Sequence, residues 1–174
     1  GPDAPVQSPD QQFVRPEGSL FLQGPGDSRA IAMNDVMQLD SQHCWGLSIL
    51  AALAEKQPSY VESMFDEDEN HWYVRYFQGG TASWMTMPKT LPMDSTGGAV
   101  GAQSTDVNPA GGRELFVSVF SKFMAVAAGG YDQRGSVSEM AHMLGLTDVS
   151  TIVIADHGVS QSAQWVNAAA NDPK

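Results

Sequence analysis

Hydrophobic residues along this chain gather into a few blocks, separated by polar stretches rich in Gly and Pro. The densest block, Cys44 to Lys56, reads Cys-Trp-Gly-Leu-Ser-Ile-Leu-Ala-Ala-Leu-Ala-Glu-Lys and puts apolar residues on nearly every helical face. Good helix formers without a polar face predict a helix buried through a core, and Pro58 ends it. A shorter helix is expected from Ser59 to Phe65. Asp66-Glu67-Asp68-Glu69-Asn70 then reads as a solvated acidic turn, because the Gly and the terminal Glu of an EF-hand loop are missing.

The pattern changes at Trp72. Trp72-Tyr73-Val74-Arg75-Tyr76-Phe77 and Ala82 to Met87 flank Gln78-Gly79-Gly80, and aromatic and β-branched residues on both sides of a Gly-rich turn predict a β-hairpin. Residues 92–112 carry Gly, Ser, Thr, Asn and Pro with little periodicity and read as a long surface loop. Helical spacing returns at Arg113, with Leu115, Phe116, Val119, Phe120, Phe123 and Met124 on one stripe and Gly129-Gly130 as the stop. Ser136 and Glu139 have capping-box spacing at the head of a helix reaching Leu144. A short buried strand at Thr151–Ala155 and a last helix at Ser160–Ala170 complete the expected elements. The result is a mainly α fold with one small β-hairpin, built around a central buried helix that starts at Cys44.

Residues 1–27 are rich in Pro, Gly, Gln and Asp and read as a linker with one apolar island at Leu20-Phe21-Leu22; residues 28–174 read as the folded unit. Gly1-Pro2 has the look of a tag-cleavage scar, so the natural N-terminus is expected to lie elsewhere. With 174 residues and 42% apolar composition, the chain is long enough for one packed core. Its 20 acids against 9 bases give a net charge of -11, which argues against a surface that tracks nucleic-acid phosphates. No apolar run approaches the roughly 20 residues of a membrane span. Neither nucleic acid nor membrane is therefore an expected partner.

A single cysteine rules out an internal disulfide and a multi-thiolate zinc site. A lone cysteine is most often a small buried hydrophobe, but Cys44 stands at the start of a predicted helix. There the unsatisfied backbone donors and the positive end of the macrodipole favour a thiolate, the form a nucleophile needs. Gln38, six residues upstream, carries an amide able to donate to an oxyanion beside the sulfur, together with the Cys44 N–H.

The string Gln38-Leu-Asp-Ser-Gln-His-Cys44-Trp45-Gly-Leu-Ser-Ile-Leu-Ala-Ala-Leu resembles the oxyanion-Gln and nucleophile segment of calpains, papain-like cysteine proteases. Trp72-Tyr-Val-Arg-Tyr-Phe-Gln-Gly-Gly with Trp84 to Leu91-Pro92 resembles the calpain hairpin. Glu114-Leu-Phe116 to Ala125, followed by Gly130-Tyr131-Asp132, resembles the family's next helix and its exit. These landmarks run in family order over about residues 35 to 145. The family's usual Gly-Asp before the nucleophile is Gln42-His43 here, and its acidic pair before the Leu-Pro exit is replaced by Pro88-Lys89-Thr90.

The resemblance implies the cysteine-bearing half of an endopeptidase acting on protein or peptide substrates, completed by a His/Asn-bearing subdomain of the same parent chain. It requires no cofactor. It also implies a calcium site in which Asp35, nine before Cys44, and Asp132, directly after Tyr131, supply carboxylates. Within the chain the base candidates are His43, His71, His142 and His157; His157 with Asn167 keeps the Cys, His, Asn order of papain-like enzymes. Two other readings stay open: a non-catalytic binding or scaffold module, and a complete hydrolase or acyltransferase using Cys44, His157 and Asn167.

Overall fold

The computed structural model describes residues 11–24, 28–38, 43–95, 99–104 and 112–146. In chain order its elements are strands β1 (Gln12–Val14) and β2 (Gly18–Ser19), a 3-10 turn at Met33–Asp35, and strand β3 (Val36–Gln38). Helices α1 (Cys44–Lys56) and α2 (Pro58–Ser63) follow. Then come β4 (Phe65–Glu67), β5 (His71–Gln78), β6 (Thr81–Pro88), β7 (Leu91–Met93), β8 (Ala102–Ser104), β9 (Arg113–Glu114), α3 (Phe116–Ala128) and α4 (Val137–Met143). The expected mainly α class is corrected: among the described residues helix and strand take comparable shares, about 36% and 30%, and the strands form several sheets.

The physical reason is strand length. The hairpin β5–β6 shows in the sequence because each strand has 8 residues. The remaining strands have two or three residues, too few for a period-2 alternation to register. They exist because distant segments pair: β1 with β7 antiparallel, β2 with β9 parallel, β3 with β8 antiparallel, and β4 with β5 at the edge of a three-stranded antiparallel sheet. Accordingly β7 and β8 fall inside the stretch expected as loop, and β1 and β2 inside the stretch expected as linker. The Thr151–Ala155 strand and the Ser160–Ala170 helix lie outside the described residues.

Helix α1 runs over the span its composition predicts, and every residue from Trp45 to Ala54 is buried. The 3-10 turn, β3, α2 and α4 all pack on it. Helix α3 approaches at Gly46, where an added Cβ would stand 2.1 Å from the Met124 sulfur. Pro58, which terminates α1, also opens α2, since its fixed φ and missing N–H suit a first helical position. Helix α4 begins with the expected capping box, Ser136 Oγ accepting from the Glu139 N–H and the Glu139 carboxylate accepting from the Ser136 N–H. Helix α3 ends at Gly129, whose φ of 91° is the left-handed conformation that favours glycine.

Two buried charges pin α3 to its surroundings. At its N-terminal end Glu114 is 0% exposed; its carboxylate accepts from the Leu22 N–H at 2.6 Å and the Ser104 hydroxyl at 2.7 Å. The Leu115 and Phe116 N–H groups, which have no partner inside the helix, donate to the carbonyls of Ser19 and Leu20. Phe21 then packs against Phe65 and Phe116 with centroids 5.8 and 5.6 Å away, which is why this nominal linker is held. In mid-helix the buried Lys122 ammonium donates to the carbonyls of Pro88 at 2.9 Å and Thr90 at 2.7 Å, and lies 5.3 Å from the Phe13 ring centroid. Three donors on a point charge suit carbonyls converging from one loop.

Glu114→Ala would strand a buried hydroxyl and a backbone N–H at once. The expected loss is about 3–6 kcal/mol of unfolding free energy, since hydrogen bonds to charged groups contribute about 1.5–3 kcal/mol each. Urea titration checks it, with exposed Glu17→Ala as a control expected to stay within about 0.5 kcal/mol.

Candidate functional site

Cys44 is the first residue of α1 and its side chain is exposed, while the next ten residues are buried. Among the described residues no side chain caps this helix start, and its first turn carries no acidic residue. Its backbone donors and positive dipole end are therefore not offset by a side-chain cap or by a carboxylate in that turn. That is a local setting in which a developing oxyanion is stabilised.

Gln38 reaches the same neighbourhood through its backbone. It pairs with Ala102 in β3–β8, and Ser118 of α3 donates its hydroxyl to the Ala102 carbonyl at 2.9 Å. The next residue back, Gly101, has φ 93° and such close neighbours that a Cβ would lie 2.6 Å from Ser121 Oγ and 2.8 Å from the Tyr131 ring. Ser121 and Tyr131 are in turn the residues packed on His43, immediately before Cys44. One scaffold of α3, its exit and the Gly101 bend thus fixes the strand bearing Gln38 and the helix bearing Cys44.

His43 faces into that scaffold and is 0% exposed. Its Nε2 lies 3.4 Å from the Gly130 carbonyl and its Nδ1 3.3 Å from Ser121 Oγ. A carbonyl accepts and never donates, so the hydrogen-bond network assigns the proton to Nε2, and Nδ1 accepts from the Ser121 hydroxyl. Tyr131 lies along the ring at 5.7 Å and Trp45 meets it edge-on at 6.2 Å. Burial holds the imidazole below its ordinary pKa, outweighing the upward pull of the Gly130 carbonyl and the Asp132 carboxylate.

The other residues singled out by sequence divide clearly. His71, at the head of β5, is half-buried and paired with Asp68 at 3.3 Å. The Asp68 carboxyl is held well below the usual carboxylate range, chiefly by the Tyr73 hydroxyl, with help from the Asn70 and His71 N–H groups. His142 is exposed on α4. Among the described residues none of the three histidines hydrogen-bonds to Cys44. His157 and Asn167 lie outside the described residues.

Asp35 is buried, its carboxylate accepting from the Ala32 N–H at 2.7 Å. Asp132 is exposed and accepts from the Gln133 amide at 3.1 Å. Among the described residues no group of three or more His, Cys, Asp or Glu is placed to hold a metal ion. A calcium site thus rests on the resemblance alone. Sequence reasoning misses the anchoring roles of His43, Ser121 and Tyr131; polar residues set into the apolar stripe of α3, Ser121 among them, are the available signal.

No protein-family model matches the chain, and no curated protein matches it.

The environment of His43 sets a direction for acid sensitivity. The fold favours the neutral ring, while in the unfolded chain it titrates at its ordinary 6.5. Its contribution is therefore complete above 6.5 and is lost as pH falls below that value, because the unfolded chain takes up a proton that the fold resists. Urea midpoints measured across this range are expected to decline on the acid side in wild type and to decline less in His43→Gln. Parallel declines would show that other groups carry the acid sensitivity.

Proposed function

We propose that this chain carries the cysteine-bearing half of a calpain-like cysteine peptidase site, with Cys44 as nucleophile. The observation that carries the reading is the address of Cys44. It is an exposed thiol at the uncapped start of a buried helix, on the scaffold that also holds the strand of Gln38. In the proposed reaction the thiolate adds to a peptide carbonyl carbon, and the oxyanion is met by the Cys44 N–H and the Gln38 amide. The C–N bond breaks, the amine leaves with a proton from an imidazolium, and water then hydrolyses the thioester.

The imidazole is a histidine other than His43, His71 and His142. It is either His157 oriented by Asn167, or a histidine of a His/Asn-bearing subdomain of the parent protein. The scaffold reading draws its support from the same fact: no described histidine hydrogen-bonds to Cys44.

The test uses the parent protein and this chain side by side, with a peptide bearing an electrophilic ketone as label and a fluorogenic peptide as substrate. Label is expected on Cys44, with cleavage abolished by Cys44→Ala and slowed roughly a hundredfold by Gln38→Ala, the usual cost of one oxyanion donor. Loss of cleavage in His157→Ala would put the base inside this chain. A chain and a parent that bind peptide equally well with and without the Cys44 thiol, and take up no label, would favour the scaffold.

A further inference from the structure

We propose that His43 is the positioning residue for Cys44: held between Ser121 and Gly130 as the Nε2–H tautomer, its imidazole fixes the first turn of α1 and so the thiol that follows it. The inference deepens the peptidase reading and takes from it Cys44 as the reacting group.

The geometry uses both ends of His43. Its backbone carbonyl accepts from the Gly46 and Leu47 N–H groups, each at 3.0 Å, and so starts the helix. Its ring, buried while the next residue's thiol is exposed, bonds α3 through Ser121 and the α3 exit through Gly130. Among the described residues no side chain caps α1, and the ring ties the helix start to a neighbouring helix and its exit. Both ring nitrogens are engaged there, which leaves His43 no nitrogen to offer Cys44 as a base.

The arrangement also makes the position of Cys44 depend on charge. A proton on Nδ1 would create a cation in a buried pocket at the positive end of α1. The groups facing the ring among the described residues are the Ser121 hydroxyl, the Gly130 carbonyl, the Tyr131 phenol and the Asp132 carboxylate from α3 and its exit. Helix α1 contributes the Trp45 indole, and the Gly101 bend contributes no titratable group. The one opposing charge, Asp132, sits at an exposed position where water screens it. Acid is therefore expected to expel the ring and release the helix start.

Two measurements on the intact chain test this. A long-range proton–nitrogen correlation spectrum of the His43 ring at neutral pH is expected to show Nε2–H; an Nδ1–H pattern overturns the proposal. The second is the rate of Cys44 alkylation by iodoacetamide, divided at each pH by the rate for the urea-unfolded chain so that thiol ionisation common to both is removed. From about pH 8 down to about pH 5, the wild-type ratio is expected to step toward one as His43 charges. His43→Gln is expected to lack that step and to start about fivefold closer to one, the effect of losing about one buried hydrogen bond. A folded His43→Gln with the wild-type ratio and profile overturns the proposal. If that variant does not fold, Ser121→Ala decides: removing one hydroxyl is expected to weaken the tautomer preference and flatten the step, and an unchanged spectrum and profile count against the proposal. Neither measurement uses cleavage, so the role of His43 stands or falls separately from the peptidase activity, even in a chain that cleaves no peptide.

Discussion

A helix without a polar face has to be covered on every side, and α1 imposes that requirement on the whole fold. Ten consecutive buried residues cannot be packed by one sheet face or by one partner helix. The chain covers them with the 3-10 turn, β3, α2 and α4, and with α3 at Gly46. The same constraint places Cys44. When a helix is enclosed along its length, its first residue is where the enclosure opens, and the thiol emerges there at the positive end of the helix.

Enclosing α1 brings short, irregular segments inward, and their polar groups must then be satisfied. Glu114, at the end of β9 just before α3, and Lys122 within α3 do this. The carboxylate takes an N–H from the Leu20-Phe21-Leu22 island and a hydroxyl from β8, while the ammonium takes carbonyls from the β6–β7 connection. Both are costly to bury and costlier to leave unpaired, so they specify which loops sit against α3 more sharply than apolar contacts would. The strands β1, β2, β7, β8 and β9 are held as much by these bonds and by the Phe21–Phe65–Phe116 cluster as by their own brief ladders.

What can be read from the sequence follows from the same division between local and distant contacts. Elements whose pattern is local are legible: α1 by its apolar continuity, the hairpin by its aromatic alternation and Gly turn, and α4 by its Ser136–Glu139 box. Strands of two or three residues are not, because their stability lies in a partner tens of residues away, as with Gln12 opposite Met93. The site divides in the same way. Spacing along the chain points to Cys44 and Gln38. It also makes His43, which precedes the nucleophile, a candidate base, whereas the partners that define its role, Ser121 and Gly130, lie 78 and 87 residues further on. Asp35 and Asp132 pair as candidates only through their positions in the sequence; one is buried on a backbone N–H and the other stands at an exposed helix exit.

The direction of the His43 ring bears on the chemistry more than its proximity does. A base must present a nitrogen to the sulfur, and it must be free to gain and lose a proton during turnover. His43 gives both nitrogens to α3 and its exit, in a pocket that penalises the cation, so it meets neither requirement. What it supplies is rigidity, through a neutral ring that holds the helix start without placing a competing charge beside the sulfur. A carboxylate at the same position would also tie down the first turn, but it would neutralise the helix end that Cys44 relies on. An imidazole buried one residue before the exposed thiol ties down the helix start without adding a negative charge at that positive end.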